Sequence, residues 1–252
     1  MSPTLRLLFA LCLIVSGVAP ASATNLKLLT AGAYKPVALE IIPEFEKATG
    51  HKVTVINDTA GGLARRISGG EQFDVVVLTL QGLEPLVAEK KLSEDAIVPL
   101  ARVGIGVGAS LSGAIPNISS VEGFRRSLLD ARNVAYMDPS AGATSGIYLT
   151  KLWQQLGIAS EMRAKAVLVR GGLAGEKVAN GQADIALQQA SEIRAVPSIR
   201  YVGPIPAQIQ SYTIYAAAIG TRASDVDAAG ALITALASAD LALLKKKGME
   251  PP

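Results

Sequence analysis

The side chains that could do chemistry are thinly spread along this sequence. His51 is the sole histidine and Cys12 the sole cysteine of the 252 residues, so metal sites built on imidazole or thiolate, disulfides and cysteine nucleophiles all lack their parts. No G-x-S-x-G elbow surrounds Ser145, where the sequence reads GATSGIY. The stretch GGLAGEK, residues 171–177, lacks the spacing and the Ser/Thr of a phosphate-binding P-loop. Asp58, Asp138 and Glu192 are carboxylates that a cation site could use. No catalytic constellation, cofactor or metal is expected, and the chain reads as a non-enzyme.

What remains is the main chain. NDTAGGLARRISGG, residues 57–70, follows the alternating run HKVTVI and empties a strand into small residues before a helix opens with Arg65 and Arg66. Three further strands end in the same way: LLTAGAYKPV from Leu28, YMDPSAGATSGIYL from Tyr136 and VLVRGGLAGEKV from Val167. In open α/β sheets the carboxyl ends of strands border the ligand crevice. A helix starting there points unpaired N–H groups and its positive dipole end into that crevice, a setting for an anion. Small residues let a ligand approach the amides, and glycine can also take positive φ. Gly/Ala-rich turns are equally ordinary connections, so their number and pairing carry the reading.

The candidate ligand-binding positions are Ala31, Gly32 and Ala33 in the first turn and Thr59, Ala60, Gly61 and Gly62 in the second. Thr144 and Ser145 follow in the third, then Arg170 and Gly171 in the fourth. Thr59 and Ser140 could serve as hydroxyl donors or as plain helix caps. Arg170 ends an apolar strand, where it could grip a carboxylate or oxyanion bidentately or form a salt bridge at the surface. Gln188 and Gln189 interrupt the apolar run ADIAL, so at least one should hydrogen-bond in the crevice. A solvated face is the expected place of at least one of Arg65 and Arg66.

Strand-like and helix-like runs alternate along the chain. NLKLLT, KVTVIN, FDVVVLT, VGIGV, NVAYM, AVLVR, ADIALQ, IRYVG and TIYAAAI read as strands, with LARRIS, GLEPLVAEK, SVEGFRRSLLDA, SGIYLTKLWQQL and AAGALITALASADLALLKKK as helices among them. The pattern is α/β, with largely parallel sheets expected. VALEIIPEFEKATG has helical spacing, with a kink or restart expected at Pro43 and an end at Gly50. An internal echo divides the chain, since GEQFD leads into VVVLT as GQAD leads into IALQ. Two similar halves follow: residues 24–102 with 214–252 as one lobe and 103–213 as the other, with hinge crossings near 100–105 and 203–214. A single continuous sheet is the alternative.

Residues 1–23 have the build of a secretory signal, with Arg6, an apolar run from Leu7 to Val15 and Ala21-Ser22-Ala23 at the end. Export to the periplasm, with a mature start at Thr24, is expected. The apolar run is shorter than the roughly 20 residues of a spanning helix, and Cys12 lies inside it, which argues against a lipid anchor. The formal charge of +3 is mild and scattered, so nucleic acid is not an expected partner.

Several stretches together make the chain similar to the periplasmic molybdate-binding proteins, the solute receptors of ABC importers with the type II periplasmic binding protein fold. They are LKLLTAGAY, EFEKATGHKV, GGLARRISGGEQFDVVVLT, the DP and SGIYL of MDPSAGATSGIYLTKL, VANGQADIALQQASEI, IPAQIQSYTIYAAAI and LASADLALLKKKGMEPP. The resemblance implies two α/β lobes joined by hinge crossovers. They would close as a monomer on a small anion held by hydroxyls and amides, then dock on an inner-membrane ABC permease. It also exposes departures. The family's first-loop serine corresponds to Ala33, its second-loop serines to Ala60-Gly61 and its tyrosine to Gln189. Ser145 and Gly171 keep their pattern, and Arg170 is an addition. Three hydroxyls fewer and one cation more imply a roomier site, so a small organic carboxylate paired with Arg170 stands beside molybdate or tungstate as the ligand.

Overall fold

The computed structural model describes residues 23–93 and 97–252. The apolar run of the expected export signal and Cys12 lie outside the described residues.

The chain begins with β1 (Asn25–Ala31), α1 (Lys35–Thr49), β2 (Lys52–Asp58), α2 (Ala60–Ser68), β3 (Val75–Thr79), α3 (Leu80–Ala88) and β4 (Val98–Val103). After Gly104 it continues with β5 (Ile105–Ala109), α4 (Val121–Asp130), β6 (Val134–Met137), α5 (Thr144–Gln155), α6 (Ala159–Lys165) and β7 (Ala166–Val169). Then come α7 (Gly175–Ala179), β8 (Ile185–Gln189), α8 (Ala190–Arg194) and β9 (Arg200–Pro204). β10 (Thr213–Ile219), α9 (Val226–Ala237) and α10 (Leu241–Lys246) complete it.

Among the described residues, ten strands form two five-stranded sheets, in the orders β2-β1-β3-β10-β4 and β7-β6-β8-β5-β9. The orders correspond strand for strand, which gives the sequence echo its structural meaning. Helices cover both faces of each sheet, and the apolar core divides into clusters accordingly. β3, VVVLT, is buried along its whole length, as a central strand covered on both faces should be.

The sheets are mixed rather than largely parallel. β1 runs parallel to β2 and β3, but β10 is antiparallel to β3 and β4, and β5 is antiparallel to β8 and β9. The antiparallel strands are those by which the chain enters one sheet after leaving the other, and no crossover helix reverses them. Gln210 binds the two crossings together: its Oε1 accepts from the Ile105 N–H at 2.7 Å and its Nε2 donates to the Ile105 carbonyl at 3.0 Å.

Two helices also differ from expectation. α1 runs through Pro43 without a restart, because the carbonyl that loses its partner there belongs to Leu39, which lies on the exposed face where water can take its place. The long C-terminal helix instead divides in two, since the Asp240 carboxylate caps a new start by accepting from the Leu243 N–H at 2.7 Å.

The two halves of the echo share a side-chain device. Asp74 accepts from the Lys27 N–H at 2.6 Å and Asp184 from the Arg132 N–H at 2.8 Å, each tying a strand entrance to its neighbour. Asp74 is buried and also accepts from the Ser224 N–H at 2.7 Å and hydroxyl at 2.8 Å. Asp74→Ala would orphan three donors, each costing about 1–3 kcal/mol. Urea unfolding should show a loss of about 3 kcal/mol or more, and a loss under about 1 kcal/mol would show that water replaces the carboxylate.

Candidate functional site

The four small-residue turns meet at one place. A cavity of about 120 Å³ is lined from the first lobe by Ala31, Gly32, Ala33, Asn57, Asp58, Thr59 and Ala60, and from the second by Met137, Ala143, Ser145, Gly171, Gly172 and Glu192, with Tyr215 reaching it from β10. A larger cavity, about 710 Å³, lies behind the crossings among Arg102, Tyr212 and Lys245. The smaller cavity is the candidate site because the carboxyl ends of strands from both sheets converge on it.

The second and third turns touch each other directly. Thr59 caps α2 by accepting from the Gly62 N–H at 3.0 Å, and its hydroxyl donates to the Ala141 carbonyl of the other lobe at 2.7 Å. The Gly61 N–H donates to the Gly142 carbonyl at 2.9 Å, and an Arg65 guanidinium N–H donates to the Ala141 carbonyl at 3.2 Å. These groups therefore clasp the lobes. Gly142 sits at φ +77°, a conformation that favours glycine.

Among the positions singled out from sequence, Ala31, Gly32, Ala33, Thr59, Ala60, Ser145 and Gly171 line the cavity. Gly61 lies in the clasp, Gly62 is buried one position behind it, and Thr144 stands beside the Tyr215 phenol. Gln188 is fully buried and holds the fourth turn, with its Oε1 accepting from the Ala174 N–H at 2.7 Å and its Nε2 donating to the Gly172 carbonyl at 3.3 Å. Gln189 donates to Thr213 Oγ1 at 3.1 Å.

Arg170 occupies the rim. Its side chain is 84% exposed and its Nε donates to Asp138 Oδ2 at 3.2 Å, the surface salt bridge weighed from sequence. Ser140 hydrogen bonds, and after them Arg170, hold the Asp138 carboxyl below the usual range. Lys35 supplies another rim cation, with its Nζ donating to Asn57 Oδ1 at 3.2 Å. Asp58 faces Arg66 at 3.5 Å. Among the described residues Asp58, Asp138 and Glu192 form no cluster able to hold a metal ion.

Two further residues line the cavity: Glu192, weighed from sequence only as a carboxylate for a cation, and Tyr215, which sequence reasoning did not single out. Glu192, in the first turn of α8, sits so close to the first loop that a Cβ built on Gly32 would stand 2.5 Å from its Oε1. Enclosure pushes its carboxyl up from 4.5 to about 8, a shift only partly opposed by a hydrogen bond from Gln188, and no cation among the described residues compensates it. Burial first, and the charge of Glu192 second, push the Tyr215 phenol upward, so it stays protonated beside Thr144 and Gln189. The signal for Glu192 was present in the sequence as an acid placed just after the polar interruption Gln188-Gln189. Tyr215 had none, since it arrives on the returning strand.

The arrangement offers amides and hydroxyls on several sides, rim cations, and two lining carboxyls, of which Asp58 faces Arg66 and Glu192 is the one whose proton is held up. The model of bacterial extracellular solute-binding proteins matches residues 26–250. The chain is 33% identical, over an alignment of 256 residues covering 99% of it and 96% of the relative, to an aconitate isomerase from a Pseudomonas species. In three dimensions it is similar to the periplasmic molybdate-binding protein of Azotobacter vinelandii, with TM-score 0.74, 20% identity and coverage of 90% of this chain and 99% of that one. It is also similar to the substrate-binding domain of a molybdenum ABC transporter, described as putative, from Clostridium difficile, with TM-score 0.67, 19% identity and coverage of 91% and 100%.

Proposed function

Because this chain belongs to the bacterial extracellular solute-binding protein family, we propose that its interlobe cleft captures a small organic polycarboxylate of the aconitate type and shifts the double bond of the bound acid. The observation that carries this reading is Glu192: a carboxyl facing the cavity without a counter-cation, held up at about 8. A neutral carboxyl can donate to a ligand carboxylate, and an ionised one can accept a proton from carbon. The Pseudomonas relative supports the substrate class, since it aligns along nearly the whole of both chains.

Binding would divide the ligand's charge between the two lobes. The turns that lead into α1, α2 and α5 line the cleft, and Lys35 and Arg170 stand at its rim. Arg170 would pair a carboxylate only by loosening its hold on Asp138, so its share of the affinity is that of an exposed ion pair, about 0–1 kcal/mol. A tetrahedral oxyanion such as molybdate fits the chemistry less well. Ala33, Ala60 and Gly61 bring no hydroxyl, and that of Thr59 is engaged with Ala141.

A second reading is a receptor that binds the acid unchanged and passes it to an ABC permease, the role that the fold implies. Both readings place the protein in the periplasm, on the strength of the signal-like residues 1–23. The test is incubation of the purified protein with trans-aconitate, followed by proton NMR, alongside calorimetric titration with trans-aconitate, molybdate and sulfate. Conversion to the cis isomer supports the enzyme, binding without conversion the receptor. Binding of molybdate alone would sink the polycarboxylate.

A further inference from the structure

Resting on the isomerase reading just given, we infer that Glu192 is the catalytic residue that carries the migrating proton, acting first as base and then as acid on one face of the bound acid. The geometry singles it out. Among the cavity's lining residues the carboxylates are Asp58 and Glu192, and Asp58 is spoken for: it accepts from the Thr59 N–H at 2.7 Å and faces Arg66 at 3.5 Å. Among the described residues Glu192 forms no ion pair, and its neighbours Gln188 and Tyr215 are neutral. Gly32 leaves open the space that the carboxylate fills, since any side chain there would collide with Oε1.

The step balances without a co-reactant. Glu192, ionised, takes a proton from the methylene carbon of the unsaturated tricarboxylate, breaking that C–H bond and forming O–H. The released electron pair becomes a new C=C bond, and the electrons of the former double bond move toward the far carbon, with charge delocalised onto its carboxylate. The Glu192 O–H then breaks as the far carbon takes the proton, which regenerates the carboxylate. Nothing is oxidised or reduced, and the proton count is unchanged. The transient charge develops on carboxylate oxygens, where main-chain amides of the turns that line the cavity before α1 and at the start of α5 can stabilise it. One group serving both carbons suits a site whose other polar lining side chains are Asn57, Thr59, Ser145, Tyr215 and the already engaged Asp58.

The test compares the wild type with Glu192→Gln and Glu192→Asp, each checked for folding by circular dichroism and for binding of trans-aconitate by calorimetry. Glu192→Gln should lose at least a hundredfold in kcat while binding within about fivefold of wild type, and Glu192→Asp should recover part of the loss. Deuterium at the methylene carbon should slow the wild type by a primary isotope effect. Gly32→Ala, which displaces the carboxylate without removing it, should also lower kcat. If the wild type isomerises but Glu192→Gln keeps more than a tenth of its kcat, this inference alone falls. If the wild type leaves trans-aconitate unchanged, the isomerase reading falls and takes the inference with it.

Discussion

Gly61→Val is expected to weaken capture of the cleft ligand at least a hundredfold while leaving the stability of the free protein nearly unchanged. In the closed arrangement a Cβ on Gly61 would lie 2.8 Å from the Gly142 Cα and 3.0 Å from its carbonyl oxygen. Both obstacles are backbone, so neither can swing aside. The substitution also pulls apart the Gly61 to Gly142 hydrogen bond at 2.9 Å, and with it the reach of Thr59 to Ala141 at 2.7 Å. With the turns held apart, a ligand seated on one lobe loses the donors of the other. Two or three hydrogen bonds to a charged group, at about 1.5–3 kcal/mol each, exceed the 2.7 kcal/mol or so that a hundredfold represents. The site of change lies on the surface between lobes, where no core packing is disturbed. Calorimetry would give the affinity, and small-angle scattering would show whether the ligand still compacts the protein. An affinity within threefold of wild type would mean that capture does not need the clasp.

The clasp marks the boundary between what the sequence discloses and what it does not. The four turns were legible through their number and pairing, since any one alone reads as an ordinary connection, and strand order then brings them together. That Thr59 and Gly61 engage Ala141 and Gly142 was not legible, since the partners are some eighty residues apart and both sides are small and neutral. Arg170 showed the limit of reading a charge from its position. The sequence brings it to the rim, but its pairing with Asp138 depends on the β6–α5 turn, whose tight 3-10 segment Pro139–Ala141 is set by the Asp138 cap. Mixed sheets were missed for a related reason. Periodicity identifies strands but not their direction, and β5 and β10 owe theirs to the two crossings. Tyr215 comes into the site by the same route, on a strand whose apolar pattern describes only its packing.

The pH profile should separate the two roles of Glu192, because binding and turnover require opposite states of it. For turnover, the ionised form is the base, so kcat/KM should rise about tenfold per pH unit below the group's titration near 8 and level above it. Between pH 6 and pH 8 the rise should be roughly fiftyfold. For binding, the neutral form is preferred, since an ionised Glu192 would face the ligand's charge without a cation between them. The affinity for a saturated tricarboxylate with the same carbon skeleton should therefore hold below pH 8 and fall above it. Stability supplies a third profile. The folded protein retains this proton up to about 8 whereas the unfolded chain releases it near 4.5. The Glu192 contribution to stability is thus fully present below about 4.5 and is lost as pH rises to about 8. Glu192→Gln should flatten its share of all three curves, because an amide does not titrate. A kcat/KM that is level from pH 6 to pH 8 in the wild type would show that the cleft moves no proton through a carboxyl of this kind. Capture by the clasp would then stand as the whole of its action.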